Sequence, residues 1–444
     1  MRQTVAERIS DRSPHGIAAG IASLINSGEL APGERLPTVR ELALDLGVSP
    51  ATVSAAWQRL SGLGLIISRG RSGSFVRATN RQWMPPRFRP LARQSDATRL
   101  DLSTGTPDAQ LLPPLDHALS RISPGAATSS YLDRPVIDEL DQLLRKQWPY
   151  PVESLTVVDG ALDGISRALD SILRFGDGVI AEDPGFPPVF DLLDHLGGVR
   201  LPVGLDHEGI VVDDLAHALN HHPRVLVLQP RAQNPTGISM SHRRAEQLAR
   251  VIGGHPNGEE LIIIEDDHSG SISSSPLISL AEWLPQQVLH LRSFSKSHGP
   301  DLRIAALAGP PRLVDPIVSR RILGPGWTSR MIQQLLYELL SRAESITQVA
   351  RARREYRNRQ QNLVSTLQHA GVPINRPGDG LNLWLPVGNE RSAVVQLAAS
   401  GIKVAAGSAF QAEAGEPGEF IRISLGQLRG DVSEIGGLIA DAVR

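Results

Sequence analysis

The chain has 444 residues, 41% of them hydrophobic and 21% charged, which suits about three folding units at roughly 150 residues each and excludes a wholly disordered polymer. It has no cysteine, which excludes disulfides, thiol catalysis and cysteine-ligated zinc or iron–sulfur centres. No window approaches 18 consecutive apolar residues and Met1–Ser10 lacks an apolar signal-peptide core, so a cytoplasmic protein without a membrane partner is expected. The net charge of −2 hides an asymmetry: residues 1–94 carry 13 arginines against six carboxylates, leaving 32 basic and 41 acidic residues for the rest. A basic front on an acidic body suggests a polyanion-binding module joined to a different machine. Only three residues are lysine (Lys146, Lys296 and Lys403), so chemistry needing an amine has few candidates.

In chain order, Pro14–Asn26 carries an apolar stripe at Ile17, Ile21, Leu24 and Ile25 and reads as a helix. Thr38 with Glu41 three residues later is a capping box for a second helix, which Gly47 stops. A third helix starts at once, with Ser49 as cap and Pro50 in its first turn, and runs to about Leu60. Two short capped helices around a tight turn have helix-turn-helix geometry. Leu65–Ser68, an Arg69-Gly70-Arg71-Ser72-Gly73 tip and Ser74–Val76 read as a β-hairpin wing. Residues 1–78 thus form one module, and residues 79–99 read as a linker able to span up to roughly 70 Å if extended.

The string Ile25-x-Ser27-Gly28, Pro32-Gly33-x-Arg35-Leu36-Pro37-x-x-Arg40-Glu41-Leu42-Ala43, Leu46-Gly47-Val48-Ser49-x-x-Thr52-Val53, then Gly64-Leu65-Ile66 and Gly73-x-Phe75-Val76, resembles the GntR family of winged-helix repressors. The resemblance implies a double-stranded DNA partner, contacted through Arg40, Ser49, Thr52, Arg69 and Arg71. Pro50-Ala51 replaces an arginine that relatives often carry after the serine, which touches base readout more than phosphate contact.

From residue 100 the pattern changes. Apolar runs at Leu155–Val158, Gly178–Ala181, Val225–Leu228 and Leu261–Ile264 alternate with helical segments, as in an α/β domain whose mostly parallel sheet is covered on both faces. Ligands of such sheets sit at the strands' carboxyl ends, where each informative motif falls. Gln233-Asn234-Pro235-Thr236-Gly237, Glu265-Asp266-Asp267, Arg292-Ser293-Phe294-Ser295-Lys296 with Arg303, Leu102-Ser103-Thr104-Gly105-Thr106-Pro107-Asp108 and Phe420-Ile421-Arg422-Ile423-Ser424 could singly be turns, caps and solvated loops. In this order they resemble the fold-type I aminotransferases that use pyridoxal 5′-phosphate.

That resemblance implies a role for each position. Lys296 supplies the amine for a Schiff base with the coenzyme aldehyde. Asp266 pairs with the ring nitrogen, Asn234 and His268 bond the phenolic oxygen, and Phe186 stacks on the ring. Gly160, Ala161 and Leu162 offer helix-start amides to the phosphate, joined by Ser293, Ser295 and Arg303, while Tyr131 reaches the neighbouring subunit's phosphate. Arg422 clamps an α-carboxylate. His268 stands where relatives have tyrosine, so cofactor affinity is expected to vary with pH near neutrality. Pro188 stands where one γ-aminobutyrate-sensing type has a second carboxylate-binding arginine.

Residues 312–444 resemble that fold's small α+β domain, within a body spanning 100–444. Arginines 351, 353, 354, 357 and 359 read as a solvated face or inter-domain surface. No metal site is expected. The fusion resembles the MocR/GabR type of bacterial regulator, which implies a head-to-tail homodimer that senses an amino compound or B6 vitamer through an aldimine at Lys296. The competing class is an active aminotransferase to which DNA binding is secondary, since Lys296 can also serve as a proton shuttle.

Overall fold

The computed structural model describes residues 6, 8–9, 11–26, 29–31, 33–62, 65–68, 73–76, 85–87, 98–122, 130–374, 378–412, 419–430 and 432–443. The described part of the basic module has three helices, α1 (Pro14–Asn26), α2 (Val39–Leu46) and α3 (Pro50–Gly62), and two strands, β1 (Ile66–Ser68) and β2 (Ser74–Val76). The capping box closes α2: Thr38 Oγ1 accepts from the Glu41 N–H at 3.3 Å, and the Glu41 carboxylate accepts from the Thr38 N–H at 2.9 Å. Gly47 ends the helix at φ 68°, a left-handed conformation that glycine enters without a Cβ penalty. Ser49 Oγ accepts from the Thr52 N–H at 3.1 Å, so α3 starts as its sequence requires. The core beneath α1–α3 contains Ile17, Ile21, Leu42, Leu46, Val53, Trp57 and Leu60. β1 and β2 pair antiparallel, Ile66 opposite Val76 and Ser68 opposite Ser74. Arg69 and Arg71 lie outside the described residues.

The body begins with β3 (Leu100–Asp101), α4 (Asp116–Arg121) and α5 (Asp138–Gln147). Then come β4 (Ser154–Val158), α6 (Ala161–Ile172), β5 (Gly178–Asp183), α7 (Pro187–Leu196), β6 (Val199–Asp206), β7 (Gly209–Ile210), α8 (Val212–Leu219), β8 (Pro223–Leu228), α9 (His242–Gly254), β9 (Ile262–Asp267), β10 (Val288–Ser293) and β11 (Ala305–Gly309). These strands form one eight-stranded sheet in the order β4-β11-β10-β9-β8-β5-β6-β7. Strands β5, β8, β9 and β10 are mutually parallel, and β11 runs antiparallel to both β10 and β4. β8 and β9 are buried over nearly their full length, which is why Val225–Leu228 and Ile262–Ile264 within them read as continuous Val/Ile/Leu stretches rather than alternating ones. Residues at the ends of β5, β8, β9 and β10 therefore share one edge, as the sequence pattern requires.

The rest of the chain comprises α10 (Pro311–Ile322), α11 (Arg330–Ser341), the 27-residue α12 (Ala343–His369), β12 (Asn382–Pro386), α13 (Glu390–Ala399), β13 (Ile402–Lys403), β14 (Ala405–Ala406), β15 (Phe420–Ser424) and α14 (Val432–Val443). Leu335, Leu336 and Leu339 of α11 pack with Leu140 and Leu144 of α5 and with Ala306 of β11, against the large sheet. A second core gathers Leu363 and Leu367 of α12, Leu383, Ile421, Ile423 and Ile439 around the antiparallel sheet β12-β15-β14. β3 pairs in parallel with β13, and Leu102 joins this second core, so the start of the body is built into its last third. No helix among the described residues is long and apolar enough to cross a membrane.

The arginines of α12 do not form one solvated face. Arg359 is buried; it bonds Asp108 at 2.8 Å and the Gly426 carbonyl at 2.9 Å, while Tyr356 Oη accepts from the Asp108 N–H at 2.8 Å. Asp108 also accepts from Arg429 Nε at 3.0 Å. This pinning needs residues 251 and 321 positions apart, which helical periodicity does not reveal.

Candidate functional site

Lys296 lies three residues beyond the end of β10, and its Nζ donates to the Gly105 carbonyl, which brings the Ser103–Asp108 segment to the amine. Burial pushes the amine down to about 8, with the Arg422 guanidinium acting in the same direction and Asp266 opposing both. Lys403 instead pairs with Asp101 at 3.6 Å, and Lys146 is exposed on α5.

Asp266 is the penultimate residue of β9 and is 2% exposed. One oxygen accepts from Gln229 Nε2 at 2.8 Å; the other, Oδ1, is buried without a partner. Burial raises its carboxyl to about 7, with Gln229 and Lys296 pulling it back down and Asp267 pushing further up. A cation beside Oδ1 would satisfy the orphaned atom and restore the ionised form. Phe186, just after β5, lines the same small cavity as Asp266 and Gln229. Gln229 Oε1 accepts from the Asn234 N–H at 2.8 Å, so one amide positions both the carboxylate and the asparagine. Behind it, Glu182 accepts from the Gln229 N–H and from Gln233 Nε2, each at 3.2 Å, and burial raises its carboxyl to about 8.

A concave cradle follows β4. Gly160 has φ 104°, a conformation that strains any residue with a Cβ, and a Cβ there would stand 2.8 Å from Arg303 Nη2 and push that guanidinium aside. Arg303, itself left-handed at φ 46°, donates Nη2 to the Asp159 carbonyl at 3.2 Å. Ala161 and Leu162 open α6 here, where amide N–H groups have no intrahelical acceptor and favour an anion. The Ser295 N–H donates to Ser293 Oγ at 3.3 Å. Beneath the cradle, the Asp159 carboxylate is held by Arg321 Nη2 at 3.0 Å and Thr328 Oγ1 at 2.7 Å.

Arg422 on β15 is buried; its Nη1 donates to Asn234 Oδ1 at 3.1 Å and its Nη2 to the Ser103 carbonyl, while Nε has no partner. Burial lowers it to about 10, which leaves it charged at neutrality. His268 corrects an expectation. Burial pushes its imidazole down to about 4, with the Ala232 contact opposing, so it is neutral across the physiological range. Its Nε2–H is spent on the Ala232 carbonyl at 2.8 Å. Dependence of cofactor affinity on pH near neutrality therefore cannot come from this ring.

The structure thus brings together Lys296, Asp266, Asn234 and Arg422, with Phe186 lining the Asp266 cavity, and joins Arg303 to Gly160. It does not bring Tyr131 to them: that side chain is 88% exposed, its ring 6.0 Å from Trp327. In the basic module Arg40 and Ser49 are exposed and Thr52 half-buried, with Ser49 and Thr52 hydroxyls 2.8 Å apart. Sequence reasoning passed over Gln229, Glu182 and Arg321. For Gln229 a signal existed, a polar residue immediately beyond the fully apolar end of β8; Arg321 lies 162 residues from Asp159 and gave none.

Residues 97–434 match the family of aminotransferases of class I and II, and residues 15–76 match the bacterial regulatory proteins of the gntR family. The chain is 37% identical over 439 residues to the vitamin B6 salvage pathway transcriptional repressor PtsJ of Salmonella typhimurium, covering 98% of each chain. The chain belongs to the MocR-type transcriptional regulators. Members of this type fuse a gntR helix-turn-helix to an aminotransferase-like domain, and this protein is a DNA-binding regulator built in that way. The HTH-type pyridoxine biosynthesis transcriptional regulator PdxR of Corynebacterium glutamicum is 28% identical over 413 residues, 88% of this chain and 87% of that one. The fold of the body is that of LysN, an α-aminoadipate aminotransferase of Thermus thermophilus solved with N-(5′-phosphopyridoxyl)-L-leucine, with a TM-score of 0.70 at 24% identity over 78% of this chain and 92% of that one. The aminotransferase class I and II fold implies pyridoxal 5′-phosphate. The residues of the pocket fit the group: an unpartnered buried carboxylate oxygen, a glycine cradle under a guanidinium, and a lysine with a lowered pKa.

Proposed function

We propose that this regulator holds pyridoxal 5′-phosphate at Lys296 and senses a small amine there, an amino acid or a B6 vitamer, converting its arrival into a change of DNA affinity. The observation that carries the reading is the convergence of Lys296, Asp266 with its orphaned oxygen, and Arg422 within one pocket. When bound, the coenzyme supplies an aldehyde for amines and an electron-withdrawing ring. Asp266 would hold the ring nitrogen's proton by ion pairing, and Gln229 fixes the angle of that carboxylate. Arg303, Ser293, Ser295 and the first amides of α6 would take the phosphate; Asn234 would take the phenolic oxygen, and Phe186 would cover the ring. Lys296, at about 8, presents roughly 300 times more free amine at neutrality than an ordinary lysine. Arg422 keeps its charge and faces Asn234, ready for an effector's carboxylate.

A paired helix-turn-helix needs two chains. The exposed apolar side chains Leu132 (93%) and Leu323 (79%) and the outward Tyr131 support a homodimer, head-to-tail by its resemblance to the type, with Tyr131 serving the partner's phosphate site. Arg40 and the wing arginines would meet DNA. The names of the PtsJ and PdxR relatives support genes of B6 metabolism as the target.

The second reading, a working aminotransferase, is favoured by that same amine, whose value near neutrality suits a proton shuttle. One experiment separates the two. The full-length protein is saturated with pyridoxal 5′-phosphate, mixed with a panel of amino acids, and followed by absorbance and by affinity for its operator. A stable spectral change with altered operator affinity supports the sensor. Repeated conversion to the pyridoxamine form, regenerated by an oxo acid, supports the enzyme.

A further inference from the structure

Successive residues of a strand point to opposite faces of the sheet. Asp266 and Ser293 serve the Lys296 pocket, whereas their neighbours Asp267 and Arg292 turn away from it. On that other side lies a second cavity of about 480 Å³, lined by Arg231, Ser271, Ser275, Arg292 and Arg353, with Gln147 and Leu277 in its wall. The function above uses none of these residues.

The charges of this cavity do not balance. Arg231 is spent: its Nε and Nη2 grip Asp267 bidentately at 2.8 Å each, and its Nη1 donates to the Ser275 carbonyl at 3.1 Å. Asp379 is likewise consumed, accepting from Ser273 Oγ, from Ser274 N–H and Oγ, and from the Ser275 and Gly380 N–H groups. Arg292 has no hydrogen-bonded carboxylate, and the Asp267 charge reaches it only through space. Its Nε is buried without an acceptor, and its Nη1 reaches only the Gln147 carbonyl at 3.4 Å. Arg353, on α12, makes no ion pair among the described residues. Arg292 and the exposed Arg353 therefore face a cavity whose nearby carboxylates, Asp267 and Asp379, are already hydrogen-bonded elsewhere. A buried guanidinium short of acceptors is costly, and an anion removes that cost. The guanidinium fork matches phosphate oxygens bidentately, serine hydroxyls add donors, and the volume exceeds what an inorganic ion needs while suiting a small organic ligand.

We propose that this cavity is a second anion site, on the face of the sheet away from Lys296, which takes a small phosphomonoester through Arg292, Arg353, Ser271 and Ser275. Arg353 lines only this second cavity, whereas Arg303 borders Gly160, so a loss of binding in Arg353→Gln reports this site and not the coenzyme pocket. The full-length protein, saturated with pyridoxal 5′-phosphate so that the Arg303 cradle is filled, is titrated calorimetrically with glycerol 3-phosphate at fixed ionic strength, then with inorganic phosphate and with succinate. Expected is one saturable site per chain with the coenzyme absorbance unchanged, glycerol 3-phosphate binding more tightly than either comparator. The exposed Arg353→Gln change should weaken it at least tenfold, and so should Arg292→Gln if that variant folds. Absence of a saturable site, equal affinity for succinate or inorganic phosphate, unchanged affinity in Arg353→Gln, or displacement of the coenzyme would each overturn the proposal.

Discussion

Replacing Asp266 by asparagine separates what the pocket does for folding from what it does for its ligand. In the coenzyme-free protein this carboxyl is 2% exposed and has one hydrogen-bond donor, Gln229. Burial moves it from 3.8 to about 7. The folded state then holds a proton that the unfolded state has released, so stability falls as pH rises from about 4 to about 7 and stays low above that. Three units at 1.36 kcal/mol each set the loss at about 4 kcal/mol by pH 8, an upper bound because local relaxation softens burial. Asparagine cannot ionise, so its stability carries none of this slope. Urea unfolding of both coenzyme-free proteins between pH 4 and pH 8 should show the variant gaining at least about 1 kcal/mol on the wild type across that range. The comparison cancels Glu265 and the burial of Glu182, though not the small upward push that the Asp266 charge adds to Glu182. Coenzyme affinity should move the other way, falling at least tenfold, because the ring nitrogen loses its counter-charge. Parallel pH profiles for the two proteins would refute the argument that an unsatisfied, buried carboxylate waits in this pocket for a cation.

Other outcomes follow from the same geometry. Gly160→Ala puts a methyl 2.8 Å from Arg303 Nη2 at a left-handed φ, and should weaken coenzyme binding tenfold or more in a spectral titration while barely changing effector-free DNA binding. Coenzyme capture by the apoprotein, followed by stopped-flow absorbance, should accelerate through a midpoint near pH 8, not near 10.5, since the free amine is the reactive form. Asp108→Asn breaks the buried contacts to Arg359 and Arg429 and should destabilise the body by about 3 kcal/mol in urea. Arg40→Gln should flatten the salt dependence of DNA affinity by about one unit of log–log slope, the amount expected for one lost phosphate contact.

How far the sequence reached depends on the range of each interaction. The Thr38–Glu41 capping box, the Gly47 stop and the Ser49 cap act within three or four residues, and each was visible in the letters. The parallel sheet was visible because both its faces are covered, so Val225–Leu228 of β8 and Ile262–Ile264 of β9 are written as unbroken apolar runs. Lys296 and Asp266 stood out as an amine and a carboxylate at strand ends in a chain poor in lysine. Their supports were hidden. Gln229 reaches Asp266 across 37 residues, Arg321 reaches Asp159 across 162 and Arg359 reaches Asp108 across 251, and no local period marks such pairs. His268 was misjudged because its type suggests titration near neutrality, whereas burial, which one sequence does not show, decides its charge.

Borohydride reduction of the protein incubated with pyridoxal 5′-phosphate, followed by peptide mass mapping, addresses the core of this account. A phosphopyridoxyl mass on the peptide containing Lys296, and on neither the Lys146 nor the Lys403 peptide, is the predicted result. An unlabelled Lys296 peptide at saturating coenzyme, or label spread over all three lysines, would contradict it.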